Sequence, residues 1–219
     1  NDDTTKLDTV TVNIYNQNGD HIRTLKSNPK VGVNKVDWRL DRKSTIERPG
    51  ARTDRFSEPS GGSAIPGTYR VEFQYGDETA ETEIEVKSDP RIQVNLADLQ
   101  AQEEFNLRVE ALISEVNQAT YKLDEAEKTA NKVIELTKGL ESDEAKELSE
   151  AAKEIKKSIA KVKEEFNGPE MEGQGIVRNL YPTTVSRTYS IRRYSASSFD
   201  SPGETEERLY TQAKEASEE

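Results

Sequence analysis

The tripeptide Asp89-Pro90-Arg91 marks the point at which the hydrophobic periodicity of the chain changes. Before it, Ile84 and Val86 alternate with glutamates, which is the period of two expected for a strand with one buried face. After it, apolar residues recur at steps of three and four, which is the period of an amphipathic helix. The sequence therefore predicts an α+β, multidomain chain, with a β domain at residues 1–91 and an α-helical domain at residues 92–219.

The composition restricts the partners that the chain can have. Its 42 acidic and 31 basic residues give a net charge of −11, which disfavours nucleic acid and anionic membrane surfaces as partners. There is no run of about 18 apolar residues, so we expect no membrane span. The chain has no cysteine and a single histidine, His21, which excludes thiolate and multi-histidine metal sites. We therefore expect no metal and no cofactor. Because the chain starts without methionine, we also expect a portion of something longer.

Alternating apolar residues and turn sequences predict the strands of the first domain. The predicted strands lie near residues 10–15, 22–26, 33–40, 69–75 and 82–86. Asn18-Gly19 and Pro66-Gly67 supply turns before two of them, and Trp38, the only tryptophan, is the expected core anchor. This spacing, with six or seven short strands expected in all and no helix between them, predicts an antiparallel immunoglobulin-like β-sandwich.

A long connection between the predicted strands, residues 41–65, is the first candidate for an interaction surface. Loops of this length are uncommon in compact domains and are often functional. The alternative is a disordered loop or one that only covers the domain. Its basic residues are the candidate contacts: Arg42, Lys43, Arg48, Arg52 and Arg55.

The second domain is predicted to be an antiparallel three- or four-helix bundle with a long helical hairpin. An apolar stripe that starts at Val109 has the heptad spacing of a coiled coil or helical bundle. Asn95, Ser142 and Ser201 are the expected N-caps of three helices. The predicted helices span about residues 95–138, 142–167, 176–198 and 202–219.

A cluster of basic and aromatic residues in the third predicted helix is the second candidate surface. Its members are Arg187, Arg192, Arg193, Tyr181, Tyr189 and Tyr194. Arginine interleaved with tyrosine is a combination that binds anionic partners. In the alternative interpretation, the tyrosines fill the helical bundle while the arginines pair with the acidic helical hairpin.

Several short sequences of the first domain carry a resemblance to a known family. The order of these sequences resembles that of the immunoglobulin-like domain of the flagellar hook-cap protein, a module that recurs near the C-terminus of many secreted bacterial proteins. The resemblance supports the predicted sandwich. The matching sequences are Ile14-Tyr15, Asn18-Gly19, Ile22-Arg23-Thr24-Leu25, Gly32-Val33-Asn34, Val36-Asp37-Trp38 and Pro66-Gly67-Thr68-Tyr69.

Most of the chain is similar to the C-terminal region of bacterial sortilin-like propeller proteins, which are often labelled as glycosyl hydrolase or Asp-box (BNR) repeat proteins. The resemblance implies an upstream β-propeller and an extracytoplasmic location, either periplasmic, associated with the outer membrane, or secreted. A hydrolase label would belong to the propeller, so no catalytic residue is carried over to this chain. The similar sequences are residues 86–91, the helical hairpin, Arg192-Arg193-Tyr194, Asp200-Ser201-Pro202-Gly203 and Thr205-Glu206.

These observations favour a non-catalytic structural and protein-interaction module. We expect it to brace its own upstream propeller domain or to dock the parent protein to a protein partner. One alternative is a scaffold that self-associates through the heptad hairpin, so a homo-oligomer is possible. The other is a part of a glycoside hydrolase that works with paired carboxylates. We predict that the chain is not an enzyme, because its carboxylates fall on exposed faces with nothing to separate their pKa values.

Overall fold

The computed structural model of the chain describes residues 9–51, 56–168, 183–195 and 198–218. The strands in these residues are β1 (Val10–Tyr15), β2 (His21–Ser27), β3 (Asp41–Lys43), β4 (Ser60–Ser63), β5 (Gly67–Tyr75) and β6 (Glu78–Val86). The helices are α1 (Leu96–Thr137), α2 (Asp143–Asn167), α3 (Thr184–Ser195) and α4 (Glu204–Glu218). The predicted α+β class, with antiparallel strands followed by helices, is confirmed.

The chain divides into two compact units, and neither unit is continuous in sequence. The first unit contains residues 1–45, 52–107 and 196–202, and therefore all six strands and the first part of α1. The second unit contains residues 46–51, 108–195 and 203–219, and therefore the rest of α1 and the other three helices. The domain boundary that the sequence indicates between residues 91 and 92 remains a prediction.

The first unit has an antiparallel four-stranded sheet in the order β2-β1-β5-β6. The β1–β2 turn is stabilised by Asn16, whose side-chain oxygen accepts hydrogen bonds from the backbone amides of Asn18 at 3.0 Å and Asp20 at 2.8 Å. Gly19 adopts φ +82°, a backbone conformation that glycine reaches without steric cost. The buried hydrophobic residues of the sheet form one cluster: Val12, Ile14, Tyr69 and Val71, with Val10, Ile22, Leu25, Val36, Trp38, Ala64 and Val86 packed against them.

The predicted strand at residues 33–40 is wrong, although its tryptophan packs as expected. Gly32 has φ +107° and Leu40 has φ +55°, so the backbone leaves the extended conformation at both ends of this segment. Trp38 stacks edge-on against Tyr69 with ring centroids 5.2 Å apart, and its indole N–H donates to the carbonyl of Asp41 at 2.8 Å. The segment therefore covers the sheet as an irregular chain.

The predicted loop at residues 41–65 contains a second, smaller sheet in which β3 pairs antiparallel with β4. Arg23 on β2 joins this sheet to the larger one, because its guanidinium donates to the carbonyl of Pro59 at 3.0 Å and lies 3.6 Å from the carboxylate of Asp41. The Glu58 carboxylate accepts a hydrogen bond from the Thr24 amide at 2.7 Å. Part of this connection is therefore regular structure, and it covers the β2 edge of the sheet.

The helices begin close to the predicted positions. The side chains of Asn95 and Ser142 accept hydrogen bonds from the amides of Ala97 at 3.0 Å and Ala145 at 3.2 Å, which satisfies N–H groups of the first turn. Ser201 is not the cap of α4, which begins later than predicted. Gly203 caps α4, since its amide donates to the Glu206 carboxylate at 3.2 Å.

The second unit contains α2, α3, α4 and the later part of α1. Within it, α3 packs against α2 and α4. On α2, Lys163 forms ion pairs with Asp124, at 2.6 Å, and Glu127 of α1. The hydrogen bonds that the Lys163 ammonium donates to these two carboxylates raise the pKa of Lys163. The predicted third helix, residues 176–198, is seen as α3, and residues 176–182 and 196–197 lie outside the described residues.

Candidate functional site

The half of the four-stranded sheet that β5 and β6 form leaves apolar side chains exposed on its core side. Tyr69 and Val71 are buried there, but the next two residues of the same β5 row, Phe73 and Tyr75, are 37% and 40% exposed. Ile84, opposite Tyr69 on β6, is 36% exposed. We define the β5–β6 face as Phe73, Tyr75, Ala80, Thr82 and Ile84, which share one side of the sheet because alternate strand residues do so.

The β6 strand forms one edge of this sheet. In the described part of the chain, β6 pairs with β5 alone. The turn between them is Gly76-Asp77, in which Gly76 has φ +57° and Asp77 does not have a positive φ. Glycine at the first central position is the signature of a type II′ hairpin turn, which pairs Tyr75 directly with Glu78. Nine residues of regular strand follow this turn with one side unpaired.

The opposite side of the β5–β6 hairpin is acidic. Glu81, Glu83 and Glu85 alternate along β6 and are exposed, as the sequence predicts for glutamates that face water. Arg70 on β5 contacts Glu81 at 2.8 Å and stacks 3.9 Å from the ring centroid of Tyr15. The β6 edge therefore has an apolar side and an acidic side.

A cleft of about 470 Å³ in the first unit is the second candidate. It opens between the tip of the β1–β2 hairpin, the segment before β5 and the start of α1. Tyr69 forms part of its wall, and burial, together with the nearby Glu103 carboxylate, raises the pKa of the Tyr69 phenol. The lining residues are Asn16, Gln17, Asn18, Ile22, Arg42, Ser63, Ala64, Ile65, Pro66, Gly67, Tyr69, Leu96, Gln100, Glu103 and Glu104.

The carboxylates of this cleft have no arrangement suited to general acid and base catalysis. Glu103 forms an ion pair with Arg42, so its carboxylate is already engaged by a cation. Glu104 follows Glu103 directly on α1, and consecutive helix residues point in different directions. A pair of carboxyl groups that face each other across a substrate, as glycoside hydrolysis requires, is therefore not formed by these two residues.

The basic residues predicted in the 41–65 connection lie in different environments. Arg42 is only 8% exposed: its guanidinium pairs with Glu103 and donates to the carbonyl of Lys43 at 3.0 Å, and its role as a partner contact stays a prediction. Lys43 ends β3 and is half-buried, while Arg48 belongs to the second unit and is exposed. Two further predicted contacts lie outside the described residues, namely Arg52 and Arg55.

The basic and aromatic cluster lies on α3. Arg187 and Arg192 are half-buried and Arg193 is exposed. Tyr189 is 37% exposed and Tyr194 is 60% exposed, so the interpretation in which the tyrosines fill the bundle is wrong for these two. The hydroxyl of Tyr189 donates to the side-chain oxygen of Asn117 at 3.0 Å, and the guanidinium of Arg193 lies 5.9 Å from the ring centroid of Tyr194. Tyr181 lies outside the described residues.

The described ranges contain neither a metal-binding cluster nor a helix suited to span a membrane. No group of three or more histidine, cysteine, aspartate or glutamate residues there could hold a metal ion. None of the described helices combines the length and the apolar character that crossing a bilayer requires.

The sequence did not identify the β5–β6 face as a site. Its alternation predicts that Phe73 and Ile84 point into a core, which is the correct side of the sheet. How much of that side is covered depends on the path of the 33–40 segment, and no local pattern reports it.

The chain matches no protein-family model, and no curated protein and no solved structure is significantly similar to it.

Proposed function

We propose that the chain is a non-catalytic protein-interaction module whose docking surface is the β5–β6 face. The observation that carries the proposal is the exposure of Phe73, Tyr75 and Ile84 on the core side of the sheet. Grouped apolar side chains rimmed by charged residues are typical of protein-interaction sites. Partner binding would remove these side chains from water, at about 25 cal/mol per Å² of apolar surface.

The finer architecture that we propose is an immunoglobulin-like sandwich joined to an antiparallel helical bundle. The β3–β4 sheet and Trp38 would form the second layer of the sandwich, since both connect to the four-stranded sheet through Arg23 and Tyr69. The ion pairs of Lys163 and the packing of α3 against α2 and α4 support the bundle. A short second layer explains why the β5–β6 face is uncovered.

We further propose that the module belongs to a larger secreted or envelope-associated bacterial protein. The sequence resemblance to the C-terminal region of sortilin-like propeller proteins supports this assignment. The partner would then be the upstream propeller of the same protein or another extracytoplasmic protein. The net charge of −11 supports a protein partner over nucleic acid.

Site-specific crosslinking tests the docking surface. A photoreactive phenylalanine analogue is placed at Phe73 in the parent protein, inside the cells that produce it, and at the exposed Lys153 of α2 as a control. We expect an adduct from position 73, within or between chains, and none from position 153. The adduct should disappear when Ile84 is changed to Glu in the same protein. The proposal is rejected if position 73 gives no adduct, or if the adduct still forms in the Ile84→Glu variant.

A second candidate function, a scaffold that self-associates, is favoured by one feature of α2. Leu148 and Ile155 are each 54% exposed, and Val162 is 38% exposed. These residues are seven apart, so they form one apolar row along the helix. The alternate row, Ala145 and Ala152, is buried. A second copy that pairs through the exposed row would complete a coiled-coil seam.

Light scattering separates this function from the first. If the chain self-associates through α2, its molar mass rises with concentration, and Ile155→Glu returns it to the monomer mass. Lys156→Glu, which changes charge on the same helix outside the row, serves as the matched control. A mass that equals one chain at all concentrations rejects the scaffold.

A further inference from the structure

We propose that the edge of β6 accepts an additional β-strand from the partner, and that this strand carries lysine or arginine at alternate positions. The inference rests on the proposed function and specifies the partner's chemistry. Three properties of the described residues carry it: the backbone groups along the edge, the acidic side of the strand, and the apolar side.

The backbone groups of the edge follow from the hairpin geometry. In an antiparallel ladder, directly opposed residues alternate between pairs that exchange hydrogen bonds and pairs that do not. A two-residue type II′ turn makes the flanking pair, Tyr75 and Glu78, a hydrogen-bonded one. Residues at even positions of β6 therefore bond to β5, while the N–H and C=O groups of the odd positions point to the open edge. The odd positions are Thr79, Glu81, Glu83 and Glu85.

The acidic side of β6 selects the charge of the partner strand. A strand paired at this edge places its side chains directly beside those of β6, within about 5 Å between Cβ atoms. Opposite charges at such positions are favourable, whereas like charges are unfavourable. Lysine or arginine at every second position would therefore lie beside Glu81, Glu83 and Glu85.

The apolar side of β6 determines which residues of the partner strand fit between its basic residues. Ala80, Thr82 and Ile84 share the side of the sheet that carries Phe73. Alternate residues of the added strand would lie on this side, so valine or isoleucine there would cover Ile84 and extend the apolar layer. The partner segment that fits is therefore an extended chain of alternating basic and β-branched residues.

A second copy of the chain does not fit this edge. If two β6 strands pair antiparallel with their apolar faces on one side, glutamate of one copy lies opposite glutamate of the other. Like charges directly opposite are destabilising, and charged residues on edge strands are a known protection against self-pairing. The same row of glutamates that opposes self-association favours a basic strand.

Hydrogen exchange with a defined peptide tests the inference. The probe is a ten-residue peptide of alternating lysine and valine, added to the 219-residue chain at low salt, and amide exchange is followed by NMR. We expect exchange at Thr79, Glu81, Glu83 and Glu85 to slow by at least about tenfold, since pairing protects amides from solvent. The alternate amides of Ala80, Thr82 and Ile84 already bond to β5, so their exchange should change little.

Two peptide controls and one pair of variants sharpen the test. A peptide of the same composition in scrambled order and one of alternating glutamate and valine should give no protection. Glu83→Pro removes one outward N–H and one carboxylate, so it should weaken peptide binding by at least about fivefold, the effect of one hydrogen bond, without unfolding the chain, since edge strands tolerate proline. Thr82→Pro removes an inward N–H and should destabilise the fold instead.

The outcomes separate the inference from the proposed function. Protection of the odd amides by the lysine peptide alone supports strand addition. Absent protection, or equal protection by the glutamate peptide, overturns it. If the peptide fails while the crosslink from Phe73 forms and depends on Ile84, strand addition is rejected and the docking surface stands. If both experiments fail, both proposals are rejected.

Discussion

Tyr69 and Ile84 lie directly opposite each other in the β5–β6 ladder, yet Tyr69 is 6% exposed while Ile84 is 36% exposed. The two side chains share one side of the sheet, so the difference measures how far the covering layer extends. Trp38 packs edge-on against Tyr69, and the cover becomes thinner towards β6. This relationship defines the boundary between the core and the proposed docking surface.

The boundary predicts a contrast in stability between two apolar substitutions. Ile84→Thr should change the free energy of unfolding by less than about 1 kcal/mol, because Ile84 has little packing to lose. Ile14→Ala should lower it by about 2–5 kcal/mol, because Ile14 is 1% exposed and the change leaves a cavity. Urea denaturation followed by tryptophan fluorescence measures both. Equal losses would mean that Ile84 belongs to the core.

Local patterns predicted much of the fold because their physical causes are local. The period change at residues 89–91 and the cap at Asn95 predict a helix over residues 95–138, and α1 spans Leu96–Thr137. Side-chain periodicity and N-cap hydrogen bonds involve residues within a turn or two of each other. The sequence therefore reports them without reference to the rest of the molecule.

The errors occur where distant residues decide the structure. The alternation around Trp38 reports that it faces the sheet, but the positive φ angles at Gly32 and Leu40 keep its segment out of a ladder. The environment of Arg42 depends on Glu103, 61 positions away. The exposure of the β5–β6 face depends on how far the irregular 33–40 segment extends over the sheet. None of these relationships leaves a periodic trace in the chain.

The Arg42–Glu103 ion pair should be sensitive to the loss of one partner. The side chains are 10% and 19% exposed, so Arg42→Met leaves a carboxylate in a poorly solvated position and should destabilise the first unit by about 3 kcal/mol. Adding Glu103→Leu should restore most of the loss, since buried pairs can be replaced by apolar residues at little cost.

Thermal and urea unfolding of the single and double variants measure this effect. The matched control is Arg91→Ala, which breaks an exposed pair with Asp89 and should cost less than about 1 kcal/mol. If Arg42→Met behaves like Arg91→Ala, the pair contributes no more than a surface ion pair.

Tyr69 should make the first unit sensitive to alkaline pH. Burial and the nearby Glu103 raise the pKa of its phenol above the usual value, which is about 10. The folded state therefore keeps the proton more tightly than the unfolded state does. The resulting contribution to stability is complete below about pH 10 and is lost as the pH rises through the folded pKa.

An absorbance titration near the tyrosinate band should show a step above the usual tyrosine pKa, which is about 10, because the pKa of Tyr69 is raised. Tyr69→Phe should remove that step and flatten the loss of stability above about pH 10. Tyr75→Phe, which changes an exposed tyrosine of the same strand, should leave both features in place. If the ionisation step at high pH persists in Tyr69→Phe, the step belongs to another residue.

The two serines predicted as helix caps should behave differently. Ser142 accepts a hydrogen bond from the Ala145 amide, so Ser142→Ala should cost about 1 kcal/mol of stability and speed exchange of that amide. Ser201 instead donates to the Asp98 carboxylate, and Gly203 caps α4, so Ser201→Ala should cost less than about 0.5 kcal/mol and leave exchange in the first turn of α4 unchanged. If Ser201→Ala speeds amide exchange in the first turn of α4, Ser201 is the N-cap of that helix after all.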